Sequence, residues 1–511
     1  MVHRKFLNKL FFYVLAITLI ALFYFQFLLT NDFTPGGDGN RIYQYLQFVE
    51  SSNNIYPFWN PHILFGFPTI ADPESYTWIS YFTDVYSDNF NIQLNIIFLC
   101  LIILSSIAIF SLCRSIGIGH VGSAFSSVIF MNSGIVLKTI AHGRINNLLC
   151  FMLSLLLLTF YISYKKTNNK IYFIISIICS GLVFTFLAHY WLIYIGIFIF
   201  VINVHFSSKN SVIKTYLTEA KNGLIFFILS VASMAFLILP MLYYNLQSPT
   251  LYQDIYYVLS YNFLEYLQFF LPVNTGRFNL HYFPYTSSLI LPSFIIAVTY
   301  AYQNYKNSII HKKTFALLFI LFSIPLIQYL LFFIPGEIIA DYYYNIPGLK
   351  LIRHRYSYSY LFILPSIIVC GFAFQKTLDH PKLKPNVHLP ILAFFLFIPF
   401  LLHLVSSPAT FSSLFAPFGL VVSIILISYL FLIKISKIQY GLFVYFSLSL
   451  VLTLFFIRAD VVSKCYNQPN EIYTKILRPL NTKSATNFHI HSSYNLFPVN
   501  ANLYYVNGYS V

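Results

Sequence analysis

The residue types suited to chemistry gather in two short stretches. The first is "PGGDG" at 35–39, where Asp38 stands among three glycines just past an apolar run. A carboxylate so placed can serve as a general base toward a hydroxyl nucleophile. Packed among aromatics it loses hydration and becomes a stronger base. It can equally cap the next segment, "RIYQYLQFVESS", whose Ile42, Tyr45, Leu46 and Val49 recur at the spacing of an interfacial amphipathic helix. The second stretch is "KLIRHRYS" at 350–357, with Lys350, Arg353, His354 and Arg355. Arginine grips phosphate through paired hydrogen bonds and stays charged when partly dehydrated. Its plainer role is to snorkel to lipid phosphates. Lesser candidates are His142 and Arg144 in "AHGRIN", and Arg277 with His281; each reads equally well as an interfacial residue. "HIH" at 489–491 has metal-ligand chemistry but stands alone. No nucleotide-binding glycine motif, nucleophile elbow or zinc-protease motif stands out.

What must position these residues is a membrane protein. Of 511 residues, 58% are hydrophobic, 20% aromatic and only 9% charged, against about 25% charged in soluble chains. Apolar windows of membrane-spanning length recur near 10–30, 92–113, 121–140, 146–164, 171–187, 189–205, 223–243, 286–304, 314–334, 358–375, 389–405, 412–433 and 440–457. The expected fold is an all-α polytopic bundle of about 13 transmembrane helices spanning 1–457, with a tail at 458–511. The first run is longer than a signal-peptide core and no small-x-small site follows, so it reads as an uncleaved anchor.

Net charge is +15, and its distribution points to topology rather than nucleic acid. Basic residues fill alternate connections: the N-terminus, Arg114, "YKKTNNK" at 164–170, Lys209 to Lys221, Lys306 to Lys313, Lys376 to Lys384, and Lys434 with Lys437. The positive-inside rule makes that side the cytoplasm, with a cytoplasmic N-terminus and an extracytoplasmic C-terminus. Acidic residues crowd the other side. Asp32, Asp38, Glu50, Asp72, Glu74, Asp84 and Asp88 share one long loop at 31–91; further outer loops run at 246–285 and 335–357. Ordered loops of such length and aromatic content are usually functional. Five of the six cysteines lie in or beside spans, which argues against a disulfide framework.

Three segments, "GGDGNRIYQYLQF", "YPFWNPHILFGFPTIADPESY" and "IPGLKLIRHRYSYSYLFILPS", resemble in order and spacing the bacterial YfhO-type membrane proteins, which have GT-C glycosyltransferase architecture. The elements that match are Asp38, Gln44, Trp59 with Pro61, Gly66 with Pro68, and Pro347 followed by Arg353. Arg355 sits one residue nearer to Arg353 than the family spacing. The resemblance implies a sugar carried on polyprenyl phosphate, transferred at the outer face by an inner-membrane enzyme with Asp38 as base. Arg353 and Arg355 would hold the phosphate, and Gln44, Trp59, His142, Arg144 and Arg277 would complete the substrate site. The acceptor would be a cell-envelope glycan, polymer, lipid or protein. A polyprenyl-phosphate sugar synthase and a small flippase would be partners. Asp72 and Glu74 are candidate ligands for a divalent cation, although "ADPES" also reads as a turn. The short tail reads as a reduced or truncated outer domain. Rival readings are an O-antigen-type ligase or polymerase, and a lipid-linked glycan flippase or transporter; the latter would carry charges at span centres, where this sequence has almost none.

Overall fold

A computed structural model describes residues 2–29, 59–60, 67–68, 90–131, 143–206, 212–236, 359–379, 489–490 and 504–505, with single positions at 133, 136, 139, 140, 238, 239 and 297. Among these residues the chain is helical apart from short turns and four two-residue strands. The helices are α1 (Val2–Tyr24), α2 (Phe90–Ile116), α3 (His120–Met131), α4 (Ile145–Thr167), α5 (Lys170–Phe206), α6 (Val212–Ser233) and α7 (Ser359–Asp379). A 3-10 turn, Gln26–Leu29, extends α1. Helices suit these apolar segments because a helix satisfies its own backbone where no water reaches. Among the described residues, α2 from Ile92 onward and α4 are long and apolar enough to cross a membrane.

Local sequence explains where the helices stop. Gly117 ends α2 in a left-handed conformation, φ 102°. Its N–H donates to the Arg114 carbonyl at 3.1 Å, and Ile118 N–H donates to the Cys113 carbonyl at 3.0 Å. This pair of bonds takes up carbonyls that a helix end leaves unpaired. Asn168 ends α4 similarly, at φ 56°, with its N–H on the Tyr164 carbonyl at 2.7 Å. Asn169 then starts α5, its Oδ1 accepting from Ile171 N–H at 3.0 Å. "TNN" therefore reverses the chain in two residues.

Spans expected near 92–113, 146–164 and 358–375 correspond to α2, α4 and α7 within a few residues. Four others differ in their limits or continuity. α3 ends at Met131 rather than near 140, with a bend at Ser133. α6 begins at Val212, so Lys214, Glu219 and Lys221 are helical and not in a loop. The segments at 171–187 and 189–205, expected as two spans, form one helical element of 37 residues. The spans from 286–304 onward, except α7 and the single position 297, lie outside the described residues.

That long element is not a straight rod. Thirty residues of straight helix extend about 45 Å. Yet Phe173 packs on Tyr164 at 4.9 Å, Tyr164 lies 6.2 Å from Tyr161, and the Tyr161 hydroxyl donates to Asn203 Oδ1 at 2.8 Å. Phe173 and Asn203 are thus near neighbours along α4, and α5 bends back sharply between them. α6 rises beside the first limb in the same direction: Phe226 meets Phe173 at 5.9 Å, and Ser230, Ser233 and Met234 press on Gly181.

α3 and α7 pack antiparallel across a seam of small residues. A Cβ on Gly122 would collide with the Gly371 carbonyl, and one on Gly371 with the Gly122 carbonyl and the Ser126 hydroxyl. Such close approach is how helices gain packing energy in lipid, where apolar burial alone drives nothing. Ser126 Oγ donates to the Ile367 carbonyl at 3.0 Å, and Phe125 stacks on Phe374 at 4.1 Å.

Candidate functional site

Packing fixes which helix ends share a level. Tyr13 of α1 meets Phe110 near the end of α2, at 5.9 Å, while the turn Gln26–Leu29 also packs on α2. α1 and α2 are therefore antiparallel. Ser127 Oγ donates to the Ser106 carbonyl at 2.7 Å, setting α3 against α2, and Phe130 stacks on Phe151 of α4 at 5.0 Å. With α7 antiparallel to α3, two ends of the bundle separate cleanly.

One end is basic. Arg114, Lys165, Lys166, Lys170 and Lys376 lie at or beside the turns there. Arg114 Nη1 donates to the Ile118 carbonyl at 2.6 Å, and Lys166 Nζ donates to the Ser115 carbonyl, tying one turn to the next. Lys165 and Lys376 lie over the rings of Tyr161 and Phe372, each at 5.6 Å.

The opposite end gathers Leu29, the start of α2, the end of α3, the start of α4 and the start of α7. Arg144 is there, at the N-cap position of α4 with φ −80° and ψ 64°. Gly143, at φ 69°, makes the reversal that delivers it. Gly143 N–H donates to the Ile140 carbonyl at 3.0 Å and Arg144 N–H to the Thr139 carbonyl at 2.9 Å. The same capping pattern that ends α2 thus presents Arg144, half-buried, where the α4 dipole is positive. Apolar packing also gives way to amides at this end: Gln93, Asn95 and Asn146 are buried, with exposures of 4%, 0% and 4%. Gln93 Oε1 has no hydrogen-bond partner among the described residues. These three amides escaped the sequence reading; the signal was "FNIQLN" and "INN", polar residues inside the first turn of apolar runs.

Of the candidate site and motif residues singled out from sequence, Arg144 and the backbones of Trp59, Pro68 and His489 are described. Strand β1 (Trp59–Asn60) pairs antiparallel with β2 (Phe67–Pro68), Trp59 opposite Pro68, so the two halves of the Trp…Gly-x-Pro segment lie side by side. Asp38, Gln44, His142, Arg277, Arg353 and Arg355 lie outside the described residues, as do Asp72 and Glu74. Chain connectivity still limits them. Asp38 follows Leu29 by nine residues, at most about 32 Å of chain. Arg355 precedes Ser359 by four, at most about 14 Å. His142 is two residues from Arg144. Arg277 has no such tether. In the tail, β3 (His489–Ile490) pairs in parallel with β4 (Tyr504–Tyr505), so part of "NLYYVNGYSV" is strand. Among the described residues, no group of three metal-binding side chains occurs.

Comparison with solved structures shows the fold. The chain superposes on the crystal structure of ArnT from Cupriavidus metallidurans bound to undecaprenyl phosphate, with a TM-score of 0.51 over 96% of this chain and 85% of that one. Sequence identity is 10%. The fold is therefore GT-C-like. No family model and no curated protein matches this sequence.

Proposed function

We propose that this protein is a glycosyltransferase of the inner membrane that takes a sugar from a polyprenyl-phosphate donor and transfers it, at the outer face, to a cell-envelope acceptor. The observation that carries the reading is the convergence at one end of the bundle. Arg144, Leu29 and Ser359 lie at the end opposite the basic turns, Asp38 following Leu29 in sequence and Arg353 and Arg355 preceding Ser359, in a fold shared with a protein that binds undecaprenyl phosphate. Charge asymmetry supports taking the basic end as cytoplasmic.

In this reading the lipid tail lies along the helices and the phosphate sits with Arg353 and Arg355, Arg144 adding positive charge nearby. Gln44, Trp59, His142 and Arg277 complete the substrate surface. An acceptor hydroxyl attacks the anomeric carbon from the face opposite the phosphate. The new carbon–oxygen bond forms as the bond to phosphate oxygen breaks, so the configuration inverts. Asp38 takes the hydroxyl proton, and polyprenyl phosphate leaves as an anion. Fixed positive charge stabilises that leaving group without a general acid. The motif resemblance supports a YfhO-type enzyme in particular.

The test is transfer of radiolabelled sugar from a polyprenyl-phosphate donor by purified protein. Asp38→Asn should lower turnover on the order of a hundredfold or more while the protein is made and inserted normally. Wild-type activity in that variant would remove Asp38 from its role. Absence of transfer from every polyprenyl-phosphate donor by wild type would remove the reading.

A further inference from the structure

Between Asp88 and Glu219 the sequence contains no acidic residue. α2 to α5 lie within that stretch, so no carboxylate in these four helices balances the cations at their turns. The carboxylates of α6 and α7, Glu219 and Asp379, accompany Lys214, Lys221 and Lys376 on the same two helices. Two of the turns are also joined. Lys166 Nζ donates to the Ser115 carbonyl, and Arg114, one residue before Ser115, donates through Nη1 to the Ile118 carbonyl at 2.6 Å. Each bond uses one donor, whereas an ammonium has three and a guanidinium five. Both groups are thus fixed at one turn with donors to spare. Lys170 stands on the other arm of the Asn168–Asn169 turn, and it and Lys166 are exposed.

Along α5 from Lys170 the surface is apolar. Ile174 and Ile178 follow it at successive turns, Ile171 lies beside them, and all three isoleucines are exposed. Residues four apart share a helix face, so the lysine heads an apolar stripe about 12 Å long. We infer that these two turns and this stripe bind one anionic phospholipid. Its phosphodiester meets Lys166, Lys170 and Arg114, and an acyl chain lies along Ile171, Ile174 and Ile178. A free anion would use the charge and leave the isoleucines bare; a neutral lipid would do the reverse. A lipid with a negative head group uses both, and basic recesses between helix ends are where such head groups are held. Snorkelling alone would let each cation extend freely into the head-group region. Here two of the three are tied to one turn, which fixes their spacing. The inference goes beyond the proposed reaction and does not depend on it, since it needs only the basic end to lie at a membrane surface.

The experiment measures binding of radiolabelled phosphatidylglycerol to the purified full chain in neutral detergent, with unlabelled compounds as competitors. Wild type should hold one phosphatidylglycerol, and phosphatidylcholine should compete about tenfold less well or worse. Lys166→Gln and Lys170→Gln should each weaken binding about fivefold, while Lys166→Arg and Lys170→Arg stay near wild type. Ile174→Ser should weaken it severalfold by removing apolar contact with the chain. Lys221 is exposed at the same end but on α6, and Lys221→Gln should bind as wild type. Equal competition by phosphatidylcholine would overturn the inference. So would glycerol 3-phosphate competing as well as the intact lipid, which would show a phosphate site that takes no lipid. Equal losses in Lys221→Gln and Lys170→Gln would overturn it too, because they would show diffuse attraction to the whole basic surface. Lys170 and Ile174 are exposed, so their variants should keep the wild-type melting temperature; wild-type affinity in both would remove the site.

Discussion

At the scale of single residues, charge and hydrogen-bond geometry separate the proposed roles. Arg353→Ala should weaken binding of a polyprenyl-phosphate donor roughly tenfold or more, because a hydrogen bond to a charged group is worth about 1.5–3 kcal/mol. Arg353→Lys keeps the charge but not the planar fork, and should fall between the two. A donor titration read by the apparent KM checks both; an unchanged KM in Arg353→Ala would take it out of the site. Arg144→Ala should act in the same direction with a smaller effect, since Arg144 supplies nearby charge in the proposed reading. Asp38 differs in kind. Its loss should appear in kcat with donor affinity nearly intact, because a base acts on the acceptor proton and not on the phosphate. The carboxylate and arginine candidates were legible in sequence because ionisable groups are conspicuous in a chain this apolar. The buried amides Gln93, Asn95 and Asn146 were not, since one amide barely changes the hydropathy of a twenty-residue window.

At the scale of elements, helix ends depend on backbone conformation more than on hydropathy. Gly143 sits at φ 69°, where a Cβ is strained, so Gly143→Ala should cost about 1 kcal/mol or more and lower the melting temperature. Asn168, at φ 56°, already tolerates the left-handed region, and Asn168→Gly should be nearly neutral. Thermal melts of the two variants in one detergent check the contrast; equal losses would contradict it. The same physics explains where sequence reading went astray. Span limits were placed where polarity rises, yet a helix keeps its internal hydrogen bonds on both sides of the lipid boundary. α6 therefore starts at Val212, through "KTYLTEAKN", before its apolar part begins. α3 does the reverse, stopping at Met131 within an apolar stretch. The α3–α7 seam was invisible for a further reason: nothing in either residue announces that Gly122 N–H donates to Gln375 Oε1, 253 residues away.

At the scale of the whole molecule, the GT-C-like fold agrees with what the motif resemblance implied, and among the described residues basic side chains gather at one end as the charge bias requires. Native cysteines offer a check on the proposed orientation. Cys113, Cys150, Cys179 and Cys370 are buried, Cys100 is exposed but lies within the apolar stretch of α2, where a charged reagent does not reach in a membrane, and Cys465 falls in the segment expected outside. A membrane-impermeant maleimide applied to intact cells should label the protein at Cys465, and Cys465→Ser should abolish that labelling. Labelling of Cys465 only after permeabilisation would put the tail in the cytoplasm and reverse the proposed topology. The bend in α5 bears on the same issue. Counted as one crossing, a 37-residue helix would change the parity of every later crossing and assign α6 the opposite direction. Because Asn203 returns to the level of Tyr161, the element runs out along the bundle and back, and in the proposed topology it counts as two crossings. A single reversal inside an unbroken helix thus decides on which side of the membrane a hydropathy plot would place each loop after residue 206.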